Sequence, residues 1–317
     1  MTMAGSKDKM KPLYFLPAVF LLFQPGYGAS MIIPMASISN LFVLFFVFLS
    51  LFLLTKRHPT PFLFSLLSAT LATFTNGNGM FVFFAGLLSL IYQRRFKETL
   101  VWFFCGSLNI MFYFTGYANP PNHPDALVTL LYHPQLIIKF FFNVLNPLNC
   151  IFLNKSVLIR TLMGLLSFSY FLYLCFIKYF KKNLTLFSFL LYLFISSLTL
   201  SLFRSGLGMG LSLSRKYSII SILIFVSFYF SIMEILPKRM LKRAFPLILT
   251  LAILFNLYSY EMNLPVLIRN KVCLVESKKS WDHDGASSSL LIFSDQKRAH
   301  SILAIAEQKQ LFLSIPD

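Results

Sequence analysis

Acidic residues are scarce in this chain. Asp and Glu number 11 against 28 Lys and Arg, which leaves a net charge of +17 over 317 residues. No acid falls between Lys11 and Lys97, and seven of the eleven lie beyond Tyr260. Paired carboxylates for acid–base or metal chemistry therefore have few places to occur. Cysteine is scarce too: Cys105, Cys150, Cys175 and Cys273 show no metal-ligand spacing. Cys105 and Cys175 fall inside apolar runs and read as packing residues, while a Cys150–Cys273 disulfide on the outer side stays open. There is no serine nucleophile elbow, no helical zinc motif and no Cys–His arrangement. The apolar runs lack period-two alternation, which excludes a membrane barrel.

Apolar residues fill the space that charge leaves. The chain is 57% hydrophobic with 38 Phe, more than a soluble surface could hide. The solvent is lipid, where the backbone must pair within helices, and a span needs roughly 20 apolar residues. Cations punctuate the runs at Lys56/Arg57, Arg94/Arg95/Lys97, Lys178/Lys181/Lys182 and Lys238/Arg239/Lys242/Arg243. That is the pattern of cytoplasmic loops, not the single basic face of a nucleic-acid binder. Spans are predicted at 13–23, 32–54, 61–74, 80–92, 100–114, 157–177, 184–203, 217–236 and 244–260. The N-terminus is then inside and the C-terminus outside. A signal peptide cut after Ala29 is the other reading of the first run, but Tyr27 fits such a cut poorly and a retained helix is expected.

Local signals fill in the connections. Asn76-Gly77-Asn78-Gly79 predicts a tight turn at a hairpin tip, or the tip of a re-entrant pair. The proline-rich stretch 115–135 has no Lys or Arg and reads as an outer loop. Residues 136–153 are broken by Asn143, Asn146 and Pro147, and a half-helix at the outer interface is expected there. Residues 1–260 form the membrane domain and 261–317 a small outer tail. In the tail, 266–268, 272–275 and 290–293 read as strands. Ser294 caps a helix from Asp295 to Gln308, with Ala299, Ile302, Leu303 and Ala306 on one stripe. The expected fold is an all-α polytopic membrane protein of about nine transmembrane helices with a small α+β tail.

Arg204 to Tyr217, RSGLGMGLSLSRKY, holds three cations, three glycines and no acid between two apolar runs. It maps to the outer face, where cations are disfavoured unless something anionic is present. The glycines at 206, 208 and 210 follow a span rather than a strand and are not closed by Lys-Ser or Lys-Thr, so no nucleotide loop is implied. Arg204, Arg215 and Lys216 suit phosphate or pyrophosphate through charged donors, with snorkelling to headgroups as the alternative. Tyr217 would orient the loop. Asn76, Asn78 and His123 are candidates to line an outer cavity, although turn chemistry explains the two asparagines equally well. Asp125, the one acid in an outer loop before the tail, is the candidate catalytic group, and an Asp among prolines is also a common turn residue. Asp282, His283 and Asp284 could hold a divalent metal, but a solvated loop is the plainer reading, so no cofactor is expected.

Read in order, FLPAVFLLFQPGYG, ATFTNGNGMFVFFAGLLSLIYQRR, YFTGYANPPNHP, FRSGLGMGLSLSRKYSIIS and AHSILAIAEQKQLFLSIPD resemble the C-terminal part of bacterial polytopic proteins related to the C-type membrane glycosyltransferases. Those relatives carry an Arg-x-Gly loop followed by Ser-Arg-Tyr; here that motif is Ser214-Arg215-Lys216-Tyr217, with a Lys interposed or replacing the Arg. The resemblance implies sugar transfer from a polyprenyl-phosphate donor at the outer face of the bacterial inner membrane. The family's catalytic acid lies in the first outer loop, and residues 24–30 carry none. A fragment lacking the acid-bearing first helices is therefore expected, or a separate acid-bearing subunit as partner. A transporter or flippase of a lipid-linked or anionic solute, and a non-catalytic assembly subunit, are the alternatives.

Overall fold

The computed structural model describes residues 12–28, 37–117, 126–146, 157–208, 217–284 and 296–309. Every element among them is helical. We label the α-helices α1 Leu16–Leu22, α2 Val43–Leu54, α3 Pro59–Thr75, α4 Phe81–Tyr92, α5 Phe96–Phe114, α6 Ala126–Tyr132, α7 Pro134–Leu145, α8 Val157–Phe176, α9 Leu184–Arg204, α10 Ser218–Ile235, α11 Lys238–Asp284 and α12 Gln296–Gln308. The chain divides into two compact units, Met1–Tyr260 and Glu261–Asp317.

Four helices among the described residues are long and apolar enough to cross a membrane: those at Leu158–Phe176, Leu184–Leu207, Ser218–Ile235 and Lys238–His283. The bent pair α6 and α7 makes five if it counts as one span. The molecule is thus a helical membrane protein, with fewer helices of spanning length than the nine expected. Ile38–Leu54 and Gly77–Tyr92 are apolar but shorter. Seventeen residues at helical rise cover only about 26 Å of a hydrocarbon core near 30 Å. The run expected at 13–23 is interrupted: a 3-10 turn Pro12–Phe15 leads into α1 of only 7 residues.

Small polar residues, not bulk hydrophobicity, set the closest helix contacts, because lipid offers helices no hydrophobic drive to associate. In the α2–α3 hairpin, Ser50 Oγ donates to Ser65 O at 2.9 Å and Ser65 Oγ donates to Ser50 O at 2.8 Å. Ala69 and Ala72 are fully buried in α3. His58 opens α3 by accepting from Thr60 N–H, with Pro59 at the first helical position. Trp102 locks α5 to α4 by donating Nε1–H to Phe83 O at 2.8 Å. Helices α9 and α10 form the centre and are largely buried, whereas α8 and α11 are mostly exposed. Asn183 opens α9 by accepting from Leu186 N–H at 3.0 Å.

The tail departs from expectation. Residues 266–268 and 272–275 are not strands; they continue α11, a helix of 47 residues. Short runs of Val and Ile have only a weak strand preference without a partner strand, and the helical ladder propagates through them. Residues 290–293 and Ser294 lie outside the described residues. The expected terminal helix is present as Gln296–Gln308. Its Ala299 packs on Trp281 with Leu303 beside it, while Ile302 is exposed. Cys273 is a free thiol.

Candidate functional site

The bent pair is the least regular part of the membrane unit. Helices α6 and α7 meet at 106°. Pro134 opens α7 behind His133, whose backbone is non-helical (φ −135°, ψ 47°). A proline lacks the N–H and fixes the φ of a first turn, so the chain restarts there. Sequence reading placed a half-helix at the outer interface and a break at Asn143. Instead α7 runs through Asn143 to Leu145 and is buried on Ile137, Phe140, Asn143, Val144 and Leu145. It packs against α8, α9 and α10. At Gly164 of α8, an added Cβ would lie 1.9 Å from Phe142 O, so only glycine permits this approach. Ser221 of α10 donates to Val144 O at 2.5 Å and satisfies a carbonyl of the last turn.

The described ends of the basic stretch, 204–208 and Tyr217, sit beside this half-helix. Helix α9 ends at Arg204, and the turn Ser205–Leu207 touches both α6 and α7. Gly208 follows with φ 104°, a conformation other residues rarely adopt. Tyr217 is buried with Phe140, Val144 and Leu200, which fixes the start of α10 against α7 and α9. Arg204 is half-buried. Arg215, Lys216, His123 and Asp125 lie outside the described residues. Buried polar groups gather on the same elements: Thr129 on α6, Asn143 and Asn146 on α7, Ser201 and Ser205 at the end of α9, Ser218 and Ser221 at the start of α10. Arg160 joins them from the first turn of α8, only 7% exposed. Sequence reading missed Arg160 because it counted cations between apolar runs. The available signal was a cation inside the run 157–177, one helical turn before Gly164.

An apolar cavity of about 400 Å³ is bordered by Ile219 near this end of the bundle and by Leu186 and Phe189 near the opposite end of α9. Leu22, Phe23 and Tyr27 border it from α1 and the turn that follows, and Leu44, Phe45 and Phe48 from α2. On α10 it is lined by Ile219, Leu223, Val226, Ser227 and Phe230. Those positions form one helical stripe roughly 17 Å long that begins two residues beyond Tyr217.

Asn76 and Asn78 are placed elsewhere. Asn76 Nδ2–H donates to Ser39 O at 2.9 Å, and its Oδ1 accepts from Asn78 N–H. Gly79 backs directly onto Ala72, whose carbonyl oxygen an added Cβ would meet at 2.0 Å. The NGNG stretch is thus a close-packed joint between α3 and α4, and neither asparagine lines the cavity. In the tail, Asp282 pairs with Lys278. Among the described residues no three His, Cys, Asp or Glu side chains come together as a metal site.

A second polar cluster ties the α8–α9 joint to the far end of α10. Tyr179 Oη–H donates to Glu234 Oε2 at 2.6 Å and Asn183 Nδ2–H to Oε1 at 2.8 Å. Lys182 Nζ donates to the Glu234 carbonyl. Burial, and then the hydrogen bond to the Glu234 carboxylate, push the Tyr179 phenol well above its ordinary value. Comparison with family models, curated proteins and solved structures finds no match for this chain.

Proposed function

We propose that this protein holds a polyprenyl-phosphate-linked sugar at the outer face of the bacterial inner membrane, as a glycosyltransferase-like protein. One observation carries the reading: the apolar cavity starts two residues beyond Tyr217, so a place for a long apolar chain adjoins a basic stretch without acid. Arg204, Arg215 and Lys216 would hold the phosphate and the stripe from Ile219 to Phe230 the isoprenoid. In this reading α1, α2, α3, α4 and α5 would cross together with the four long helices, nine crossings with the N-terminus inside and the C-terminus outside. A catalytic acid would come from Asp125, from further helices or from a separate acid-bearing subunit, with His123 as a neighbour of the sugar.

Binding of polyprenyl phosphate to the purified protein in nanodiscs tests this. Arg204→Ala and Arg215→Ala should each weaken it about tenfold or more, the loss expected for a charged hydrogen bond. Leu223→Trp should fill the cavity and weaken polyprenyl phosphate while sparing inorganic phosphate. Equal binding by all three variants would sink the reading. The 106° break between α6 and α7 favours a second reading, a transporter or flippase of the same lipid, since broken helices buried in a bundle line many transport sites. Movement of a labelled lipid across proteoliposomes, with no sugar transfer, would select it.

A further inference from the structure

The four groups of cations that punctuate the sequence meet at one end of the bundle. Arg95 Nη1–H donates to Leu54 O at 2.6 Å and ties the α4–α5 joint to the α2–α3 joint. Thr185 Oγ1–H donates to Thr55 Oγ1 at 3.4 Å and ties the α2–α3 joint to the start of α9. The rings of Tyr92 and Phe180 meet in a T, 4.9 Å between centroids, and bring the α4–α5 joint against the α8–α9 joint. Glu234 adds the end of α10 through Tyr179 and Asn183. This end is opposite Arg204, since α9 runs from one to the other. Among the described residues its acids are Glu98 and Glu234, and both are occupied. Glu98 pairs with Arg95, and Glu234 accepts from Tyr179 and Asn183. Arg94, Lys97, Lys178, Lys181 and Lys182 are exposed.

Two of these cations stand where glycine would be at ease. Arg94 (φ 57°) and Lys178 (φ 55°) are left-handed, and no other non-glycine residue among those described has a positive φ. Each sits just past a helix, α4 and α8, where glycine is the usual cap because it has no Cβ to strain. Their side chains make no hydrogen bond or ion pair among the described residues. Arg94 lies two residues from Tyr92 and Lys178 two from Phe180, so each Cα is within about 7 Å of the Cα of one member of the ring pair. Apolar surface leads away from that pair. Phe84, Leu88 and Tyr92 follow at four-residue spacing on one face of α4 and are 51%, 41% and 44% exposed. The stripe spans about 12 Å of helix. Cations without a carboxylate at the head of an apolar stripe match one class of ligand, a phospholipid with a negative headgroup. A zwitterionic lipid carries its own cation, and a soluble anion has no use for the stripe.

We propose that the rim where Tyr92 meets Phe180 is a binding site for an anionic phospholipid. Arg94 and Lys178 hold its phosphate, and an acyl chain lies along Leu88 and Phe84. The site is at the other end of α9 from Arg204 and does not rest on the function proposed above.

The test uses the purified full chain in detergent micelles, with phosphatidylglycerol, phosphatidylcholine of the same acyl chains and glycerol 3-phosphate as probes. Thermal unfolding and native mass spectrometry read the binding. Phosphatidylglycerol should raise the melting temperature and stay bound, and the other two should do neither. Arg94→Gly and Lys178→Gly should each weaken phosphatidylglycerol about tenfold, the loss of one charged hydrogen bond. Without lipid both should melt at or above the wild type, because glycine suits a left-handed cap. Arg239→Gln removes the same charge at the α10–α11 joint and should weaken the lipid less than about twofold. Equal weakening by Arg239→Gln and the glycine variants would reduce the effect to diffuse charge and overturn the site. Unchanged phosphatidylglycerol binding in both glycine variants would do the same, as would equal protection by phosphatidylcholine or by glycerol 3-phosphate. A glycine variant that melts well below the wild type without lipid would make that side chain structural and overturn its role in the site.

Discussion

Gly164→Ala should cost stability at or beyond the upper end of roughly 1–3 kcal/mol for overpacking, and should abolish phosphate-lipid binding. The added methyl would lie 1.9 Å from Phe142 O, 2.6 Å from its carbonyl carbon and 2.8 Å from its Cα. All three are backbone atoms of α7 and cannot turn aside as a side chain would. The helices must therefore separate, and α7 carries Phe140 and Val144, which hold Tyr217 in place. Gly77→Ala is the matched control. Its nearest neighbour is the hydroxyl of Tyr113 at 2.6 Å, the far end of a side chain that can rotate away. Thermal unfolding in detergent and polyprenyl phosphate binding check the pair. Gly164→Ala with wild-type melting and binding would mean that α7 does not pack on α8 as described.

Much of this fold was legible because lipid leaves a chain few choices. Long apolar runs without alternation can only be helices, and α8, α9 and α10 lie close to the positions predicted for them. Asn-Gly-Asn-Gly announced its turn because a glycine is required where Gly79 meets Ala72. What stayed hidden depends on tertiary partners. Asn143 reads as a helix breaker in isolation, yet three neighbouring helices bury it inside α7. Val266 to Ile268 look like a strand, but no strand among the described residues pairs with them and the helix runs on. Only four or five helices of spanning length stand among the described residues where nine spans were expected, because apolar composition does not fix the length of unbroken helix, which is interrupted at Phe15 and at Met80. The basic stretch could be read from its charges. The left-handed backbone of Arg94 and Lys178 could not, since cations are common between these helices and only the structure separates these two from the rest.

At the far end of α10, Glu234→Ala should destabilise the protein by about 3 kcal/mol, because two donors lose one charged acceptor together. Tyr179 is 2% exposed and its hydroxyl has no water to turn to, and Asn183 is also the cap of α9. Glu234→Gln should cost less, since one acceptor oxygen remains. Tyr179→Phe should separate the hydrogen bond from its pH dependence. The folded phenol is held neutral above its ordinary value of 10. Below pH 10 both folded and unfolded Tyr179 are protonated, and its contribution is fully present. Above pH 10 the unfolded phenol ionises first, so stability falls by up to about 1.4 kcal/mol per pH unit until the folded group also ionises. Tyr179→Phe should start less stable at pH 8 and then lose less than wild type between pH 10 and 11. The melting temperature of wild type and variant across that range is the measurement. Parallel alkaline losses in the two proteins would show that Tyr179 is not held neutral by burial and Glu234 at this joint.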